Sequence, residues 1–291
     1  MKNTMMELEM ITVAEMRAWD AYTIAHFVPG RELMRRAAEG VFRSMDWEGR
    51  KTAIISGSGN NGGDGYALAC MLADAGHDVA VFRTSEKCSE DGRFYLAQAR
   101  EKGVKDAAFS EETDLSGFDI YVDCILGTGF SGSPRGTARQ AIEALNRQKG
   151  YVISVDINSG MNGDTGEAEL AVRSDLTVSI GFYKTGLFRG RSEELIGKRI
   201  NVDIGIRKPN LQEDLLIINT TREERQRIVN ESLGLIDGAC DGCSPGIISM
   251  YDDYIDGKKE LYEVNAAFHR SYVQEDADRA EGGFSCMMPG D

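Results

Sequence analysis

A glycine-rich turn between an apolar strand and a helix is the feature that most restricts the fold of this chain. The sequence GSGNNGGDG occupies positions 57–65, after the apolar run at 52–56 and before a helix-like segment. Glycines let a backbone approach a ligand closely, and the unpaired N–H groups at the start of a helix favour negative charge. This order of elements predicts an anion site. Polar side chains inside the turn suggest a further ligand or a cation as well, and they are Asn60, Asn61 and Asp64.

Apolar strand candidates alternate with helix-length segments along most of the chain. Two amphipathic helices are expected before the first strand. The alternation predicts an α/β fold with a mainly parallel sheet that is covered by helices on both faces. In such sheets ligands bind beyond the carboxyl ends of the strands, where the strand order reverses. The strand candidates lie at 52–56, 78–82, 119–124, 151–155, 175–180 and 199–204.

Two further polar clusters follow strand candidates. Asp123 ends one strand and precedes the glycine-rich run 127–133, while Asp156 and Ser159 follow the next strand. Carboxylate, amide and hydroxyl oxygens together suit a hard monovalent or divalent cation. We therefore expect these residues and Asn61 to provide a cation site, and either aspartate could also transfer a proton.

Composition excludes several classes of function. The chain has 291 residues and a net charge of −14, which argues against broad nucleic-acid binding. Its apolar runs are too short for a membrane span, and Glu7 and Glu9 stand where a signal peptide would be apolar. The cysteines are scattered, as is usual in a reducing compartment. A cytoplasmic globular protein with no nucleic-acid or membrane partner is therefore expected.

The turn also fits the G-x-G-x-x-G pattern of dinucleotide-binding folds through Gly57, Gly59 and Gly62. In a dehydrogenase an acidic residue near the end of the second strand binds the ribose, but here that strand ends at Arg83, which could at most suit a 2′-phosphate. Residues 1–208 also contain no obvious catalytic histidine or Tyr-x-x-x-Lys motif. An ordinary NAD(P) dehydrogenase is therefore disfavoured.

Four linked motifs carry a resemblance to a known family. They are GSGNNGGDG at 57–65, DCILGTGF at 123–130, SVDINSGMNGDTG at 154–166 and DLTVSIGFYKTGL at 175–187. In this order and at these intervals they resemble the NAD(P)H-hydrate epimerase family, the YjeF N-terminal domain. The resemblance extends from about residue 10 to about residue 206. Two positions depart from the family's usual residues: Arg35 replaces a glutamate, and Asn158 replaces a proline and is expected to loosen the loop that holds Asp156 and Ser159.

The resemblance implies a Rossmann-like three-layer αβα sandwich, usually a homodimer. It implies an isomerase that interconverts the R and S forms of NADHX and NADPHX, in which water has added to the nicotinamide ring. A separate dehydratase then restores NAD(P)H from the S form. The implied cofactor is a potassium ion.

The resemblance also implies roles for individual residues. Asp156 contacts the substrate and is the expected general acid or base, and Lys184 is either an electrostatic or phosphate-binding partner or a solvated surface lysine. The implied potassium ligands are Asn61, Asp123 and Ser159. The other implied substrate-binding residues are Asn60, Asn61, Gly62, Gly63, Asp64, Gly127, Thr128, Gly129, Phe130, Ser131, Gly132 and Ser133.

The residues after about 208 are expected to form a separate unit. We predict an epimerase-like domain at 1–208 and an acidic, mostly helical extension of unknown role at 209–291. Thr221 and Glu224 form a capping-box pattern at the start of a helix. The pair Cys240 and Cys243 is weak support for a zinc site, which Cys286 or His269 could complete.

A non-catalytic module remains the main alternative. The same fold serves as a nucleotide-binding or dimerisation scaffold in some messenger-RNA decapping proteins. A pure scaffold has little reason to keep five polar residues together at strand ends, so the enzyme is favoured. These residues are Asn61, Asp64, Asp123, Asp156 and Ser159.

Overall fold

The computed structural model describes residues 9–209, 215–232, 250–261, 263–265 and 267. The chain divides into two compact units, Met1–Lys208 and Pro209–Asp291. Within the described residues, none of the helices has the length and apolar character needed to span a bilayer.

The first unit is built on a seven-stranded sheet in which every pair of neighbouring strands is parallel. The mainly parallel sheet predicted from the sequence is therefore confirmed. In spatial order its strands are β4 (Lys105–Ala108), β3 (Val79–Arg83), β2 (Thr52–Ser56), β5 (Ile120–Cys124), β6 (Tyr151–Val155), β7 (Ser174–Ile180) and β9 (Ile196–Val202). The short strands β1 (Met10–Ile11) and β8 (Tyr183–Lys184) form a separate parallel pair.

Helices cover both faces of the sheet, as the sequence predicted. Alternate residues of one strand point to opposite faces, and strand β2 shows this: Ile54 belongs to one hydrophobic core, while Ala53 and Ile55 belong to the other. The first core is covered by α1 (Val13–His26), α2 (Gly30–Arg43), α3 (Asn60–Asp74) and α4 (Glu90–Glu101). The second is covered by α5 (Gly136–Leu145), and the short helix α6 (Ser192–Leu195) precedes β9.

The strand order reverses next to β2, which lies between β3 on one side and β5 on the other. The loops after β2, β5 and β6 therefore leave the sheet at the same edge, where α/β proteins bind ligands. Gly57 allows two of these loops to touch, because a Cβ at this position would lie only 1.8 Å from the carbonyl oxygen of Ile125. The fold thus brings the three sequence clusters together.

The second unit has a small core of its own. Helix α7 (Arg222–Ser232) begins at the predicted capping box, in which Glu224 N–H donates to Thr221 Oγ1 at 3.2 Å and Thr221 N–H donates to the Glu224 carboxylate at 2.8 Å. The buried apolar residues come from α7, from α8 (Asp252–Ile255) and from Val264. The residues predicted for a zinc site lie outside the described residues: Cys240, Cys243, Cys286 and His269.

Candidate active site

A cavity of about 550 Å³ opens at the reversal of strand order. Its walls come from the loops after β2, β5 and β6 and from the helices α1 and α2. Asp20 and Arg17 of α1 also line it, although the sequence analysis did not select them. The predicted residues that line it are Asn60, Asn61, Asp64, Gly127, Thr128, Gly129, Phe130 and Asp156.

Asp156 has an unusual backbone conformation. Its φ of 69° is the single positive value among the described non-glycine residues, and such conformations store strain that is often found at functional sites. Its side chain is 16% exposed and accepts a hydrogen bond at Oδ1 from Lys184 Nζ. The turn after β6 therefore holds this carboxylate at the surface of the cavity.

Lys184 lies behind Asp156 and is fully buried. Its ammonium group also donates to the carbonyl oxygen of Ile180 at 2.7 Å. The interpretation as a solvated surface lysine is therefore wrong. Lys184 is absent from the lining of the cavity, and its charge acts on Asp156, Asp64 and Asp20 from behind the cavity wall.

Asp64 and Asp20 line the cavity together with Asp156 and Asp91. Burial raises the pKa of Asp64 well above its ordinary value, and the nearby carboxylates of Asp156 and Asp20 raise it further, while Lys184 opposes the shift. Burial also raises the pKa of Asp20, with a smaller contribution from Asp156. The cavity therefore favours protonated carboxyl groups on these two residues. Asp20 was missed, although its spacing from the buried Met16 and Thr23 places it on the core-facing side of α1.

Asp123 occupies a different environment behind the cavity. It lies within β5 and is fully buried, and its register partner Ser154 donates to it at 2.8 Å. Ser159 donates to it through both N–H at 2.9 Å and Oγ at 2.5 Å, and the Ile125 N–H donates at 3.2 Å. Burial raises the pKa of Asp123, and these hydrogen bonds oppose the rise.

The oxygen atoms around Asp123 are of kinds that bind hard cations. Ser159 Oγ is 3.1 Å from the carbonyl oxygen of Leu126, and Asn61 Nδ2 donates to the same oxygen at 3.2 Å. The Asn61 Oδ1 atom is buried and has no hydrogen-bond partner among the described residues, so it is free to bind a cation. The described residues contain no cluster of three or more His, Cys, Asp or Glu side chains that could hold a metal. Carboxylate, amide, hydroxyl and carbonyl oxygens are ligands that hard cations accept.

Some predicted substrate-binding residues lie outside the main cavity. Gly62 and Gly63 are buried, and a Cβ at Gly63 would lie 2.4 Å from Met34 Cε of α2, so this glycine permits α3 to pack closely. A second cavity of about 420 Å³ is lined by Ser131, Gly132 and Ser133, and it shares Leu126 and Phe130 with the first. A ligand contact for these residues stays a prediction.

Asn158 does not loosen its loop. Its side chain is fully buried, and Nδ2 donates to Val172 O and Ser174 Oγ at 2.9 Å and to Leu195 O at 3.2 Å. Its Oδ1 accepts a hydrogen bond from Thr177 Oγ1 at 2.6 Å. The expectation was wrong because it considered only the lost restraint on one backbone dihedral, whereas the asparagine side chain attaches the turn to three other segments.

Arg83 is not available to bind a 2′-phosphate. Its side chain is 10% exposed, and its guanidinium group pairs with Asp106 at 2.6 Å and with Glu86 at 2.7 Å. The ion pair of Arg83 with Asp106 links β3 to β4. Arg83 was the one sequence feature that suggested a phosphate contact at the end of the second strand, and its ion pairs argue against that contact.

The comparisons with known proteins identify relatives of the first unit. Residues 30–186 match a family model described as "YjeF-related protein N-terminus". A protein of Limosilactobacillus fermentum named NAD(P)H-hydrate epimerase is 32% identical over 198 residues, which cover 66% of this chain and 95% of that protein. A protein of Oenococcus oeni with the same name is 34% identical over 199 residues, which cover 66% of this chain and 94% of that protein.

Two other similarities concern a longer relative and a solved structure. A bifunctional NAD(P)H-hydrate repair enzyme of Archaeoglobus fulgidus is 37% identical over 179 residues, which cover 60% of this chain and 37% of that protein. The crystal structure of a yeast protein superposes with a TM-score of 0.57 at 22% identity and covers 65% of this chain and 86% of that one. This second similarity supports the fold alone.

Proposed function

The chain belongs to the YjeF-related N-terminal protein family, and we propose that it is an isomerase that interconverts the R and S forms of hydrated NADH and NADPH. The observation that carries the proposal is the meeting of Asn61, Asp64 and Asp156 in one cavity at the reversal of strand order. Relatives that match over almost their full length are named NAD(P)H-hydrate epimerases. The substrate is a cofactor that has been damaged by hydration, so the role is cofactor repair.

The reaction needs two proton transfers at the hydrated carbon, one to the hydroxyl that leaves and one from the water that returns. This carbon bears a hydroxyl group next to the ring nitrogen, and when the C–O bond breaks the nitrogen lone pair forms a planar iminium ion. A carboxylic acid that donates its proton to the departing hydroxide releases water. The resulting carboxylate takes a proton from the water that returns on the other face. Asp156 is suited to this role because it faces the cavity and is held by Lys184, and such assistance contributes about 10²–10⁴-fold.

Asp64 supports the same step. Because burial and two neighbouring carboxylates raise its pKa, Asp64 keeps its proton at a higher pH than an exposed aspartate does. A neutral carboxyl group can donate a hydrogen bond to the hydroxyl of the substrate. Asp64 therefore orients the hydrated ring while Asp156 exchanges the proton.

A potassium ion is the cofactor that the buried oxygens fit. Asn61, Asp123 and Ser159 would hold it, together with the carbonyl oxygen of Leu126. A bound potassium ion adds positive charge beside the cavity, which offsets the acidic side chains and favours an anionic substrate. We further expect a homodimer, and a separate dehydratase that uses the S form.

The alternative is a non-catalytic nucleotide-binding or dimerisation module. The strained backbone of Asp156 and the full burial of Lys184 argue for the enzyme, because a scaffold gains nothing from a strained carboxylate at a cavity wall. Ordinary dehydrogenase activity is tested by mixing the protein with NADPH and common substrates, and no loss of absorbance is expected.

The direct test measures the R/S ratio of NADHX by chromatography. Purified R-NADHX is incubated with the protein in potassium buffer and in a buffer with a large organic cation. We expect the ratio to reach equilibrium much faster than without protein, and faster with potassium. A rate equal to the spontaneous rate in both buffers would contradict the proposed function and favour the scaffold.

A further inference from the structure

A single basic side chain lines a cavity that is otherwise acidic. Among the described residues that line it, Arg17 is the one lysine or arginine, whereas four aspartates face the same space: Asp20, Asp64, Asp91 and Asp156. The proposed substrate carries a diphosphate between its two nucleosides. An anionic group of this kind is repelled by carboxylates, so its place in the cavity is restricted by charge.

Arg17 lies beside the glycine-rich loop after β5. It is exposed on α1, and its Nη2 atom donates to the carbonyl oxygen of Thr128 at 3.1 Å. The same atom is 3.8 Å from the position that a Cβ would take on Gly129. The guanidinium group therefore lies within van der Waals distance of this part of the loop. The backbone of Gly129, which carries no side chain, and the guanidinium group of Arg17 therefore lie next to each other.

The guanidinium group keeps most of its hydrogen-bonding capacity. Arginine has five N–H donors, and Thr128 accepts from one nitrogen. Other arginines of this unit, such as Arg31 and Arg83, are paired with carboxylates. In the part of the chain that the structure describes, Arg17 has no such ion pair. Its charge is therefore available to a ligand.

We propose that Arg17 binds the diphosphate of the hydrated dinucleotide against the loop 127–129, an assignment that rests on the proposed function. The hydrated ring then lies beside Asp64 and Asp156, which act on its hydroxyl. Arginine suits this task because its planar fork of donors can bind two phosphate oxygens at once. Arg17 lies outside the residues 30–186 that match the family model, so the matched motifs alone do not reveal it.

The test compares Arg17→Gln with Arg17→Lys and with a matched control, Arg43→Gln. Arg43 is an exposed arginine at the end of α2 that pairs with Glu39 and is absent from the cavity lining. The probes are NADH, which carries the diphosphate, and reduced nicotinamide riboside, which carries no phosphate. Binding is followed by the fluorescence of the reduced ring at low and at high ionic strength.

We expect the Kd of NADH to rise about tenfold in Arg17→Gln, which corresponds to about 1.4 kcal/mol. The Arg17→Lys variant should show a smaller rise, because lysine keeps the charge without the planar fork. Salt should weaken NADH binding to the wild type more than to Arg17→Gln. Binding of reduced nicotinamide riboside should be the same in every variant. In the epimerase assay Arg17→Gln should raise KM and leave kcat unchanged.

Three results would overturn the assignment. They are an unchanged Kd of NADH in Arg17→Gln, an equal loss for the phosphate-free riboside, or a wild-type protein that does not bind NADH. The binding assay needs no turnover, so it separates this proposal from the proposed function. A protein that binds NADH through Arg17 but does not change the R/S ratio keeps the anion subsite and loses the epimerase. A protein that changes the R/S ratio but shows an unchanged KM in Arg17→Gln keeps the epimerase function and loses the anion subsite at Arg17.

Discussion

Asp123 and Asp156 follow the same pattern in sequence but occupy opposite environments in the fold. Each comes at the carboxyl end of a central strand of the sheet. Asp123 is fully buried, its backbone is part of β5, and four hydrogen bonds from neighbouring residues satisfy its oxygens. Asp156 is partly exposed, has a left-handed backbone and is held by one buried lysine.

The difference separates a structural carboxylate from a reactive one. A buried carboxylate that accepts several hydrogen bonds is costly to disturb and is suited to holding the neighbouring segments in place. A carboxylate that is held on one side and open on the other can exchange a proton with a ligand. The region around Asp123 therefore holds the loops in place, and under the proposed function the region around Asp156 performs the chemistry.

Removal of the buried lysine should give the largest loss of stability. In Lys184→Met the ion pair with Asp156 and the hydrogen bond to Ile180 are both lost. Breaking one side of a buried pair costs about 4 kcal/mol of unfolding free energy. Denaturant unfolding measures this loss, with the exposed Lys198→Met as the control that stays within about 0.5 kcal/mol. A stable Lys184→Met protein would mean that Asp156 does not depend on this partner.

The second variant, Asp123→Asn, tests the structural side of the comparison. Each oxygen of Asp123 accepts from a backbone N–H group, one of Ile125 and one of Ser159. An amide must therefore place its NH₂ group against one of these donors, and we expect a loss of about 3 kcal/mol. The exposed Asp119→Asn on the same segment is the control. Activation by potassium should disappear, and an unchanged response to potassium would remove Asp123 from the ion site.

A smaller effect is expected at Asn158, which attaches the turn that carries both Asp156 and Ser159. Asn158→Ala removes four neutral hydrogen bonds and should lower the unfolding free energy by about 2 kcal/mol. Thr177→Val removes one of them and should cost less. The double variant should cost less than the sum, because the two residues share a bond. Full additivity would show that Asn158 and Thr177 act separately.

The smallest effect is a pH dependence at Asp64. Because burial raises the pKa of Asp64, the folded protein binds this proton more tightly than the unfolded chain does. Its contribution to stability is therefore complete below the unfolded pKa and is lost as the pH rises through the folded pKa. Asp64→Asn should therefore gain thermal stability relative to the wild type as the pH rises from about 4 to about 8, because the wild type loses this contribution and the amide does not titrate. A difference that does not change with pH would contradict the shift.

The sequence predicted much of the fold because the strong patterns are local. Buried parallel strands are short apolar runs, and glycine-rich turns mark where they end. Most of the sheet strands were therefore placed within a few residues. Strand β4 (Lys105–Ala108) was missed because it lies at the edge of the sheet and none of its residues is fully buried.

The site was predicted less completely because several of its contacts are remote in sequence. Asp156 and Asn61 were found through their motifs. Asp20 and Arg17 were missed because α1 reaches the cavity only after the chain has folded around the sheet. The hydrogen bonds of Asn158 connect it to residues up to Leu195, and no local pattern signals them.

The most direct test of the account is the R/S ratio of NADHX with Asp156→Asn beside Asp123→Asn. Asparagine tolerates the left-handed backbone at position 156, but Asp156→Asn leaves the buried Lys184 ammonium group without its carboxylate and should therefore also lose stability. Its rate is measured at a temperature where denaturant unfolding shows that the variant is folded. We predict that this variant loses about 10²–10⁴-fold in the rate of epimerisation. Asp123→Asn should instead lose stability first and activity mainly through potassium. A fully active Asp156→Asn protein would contradict the assignment of the chemistry to this carboxylate.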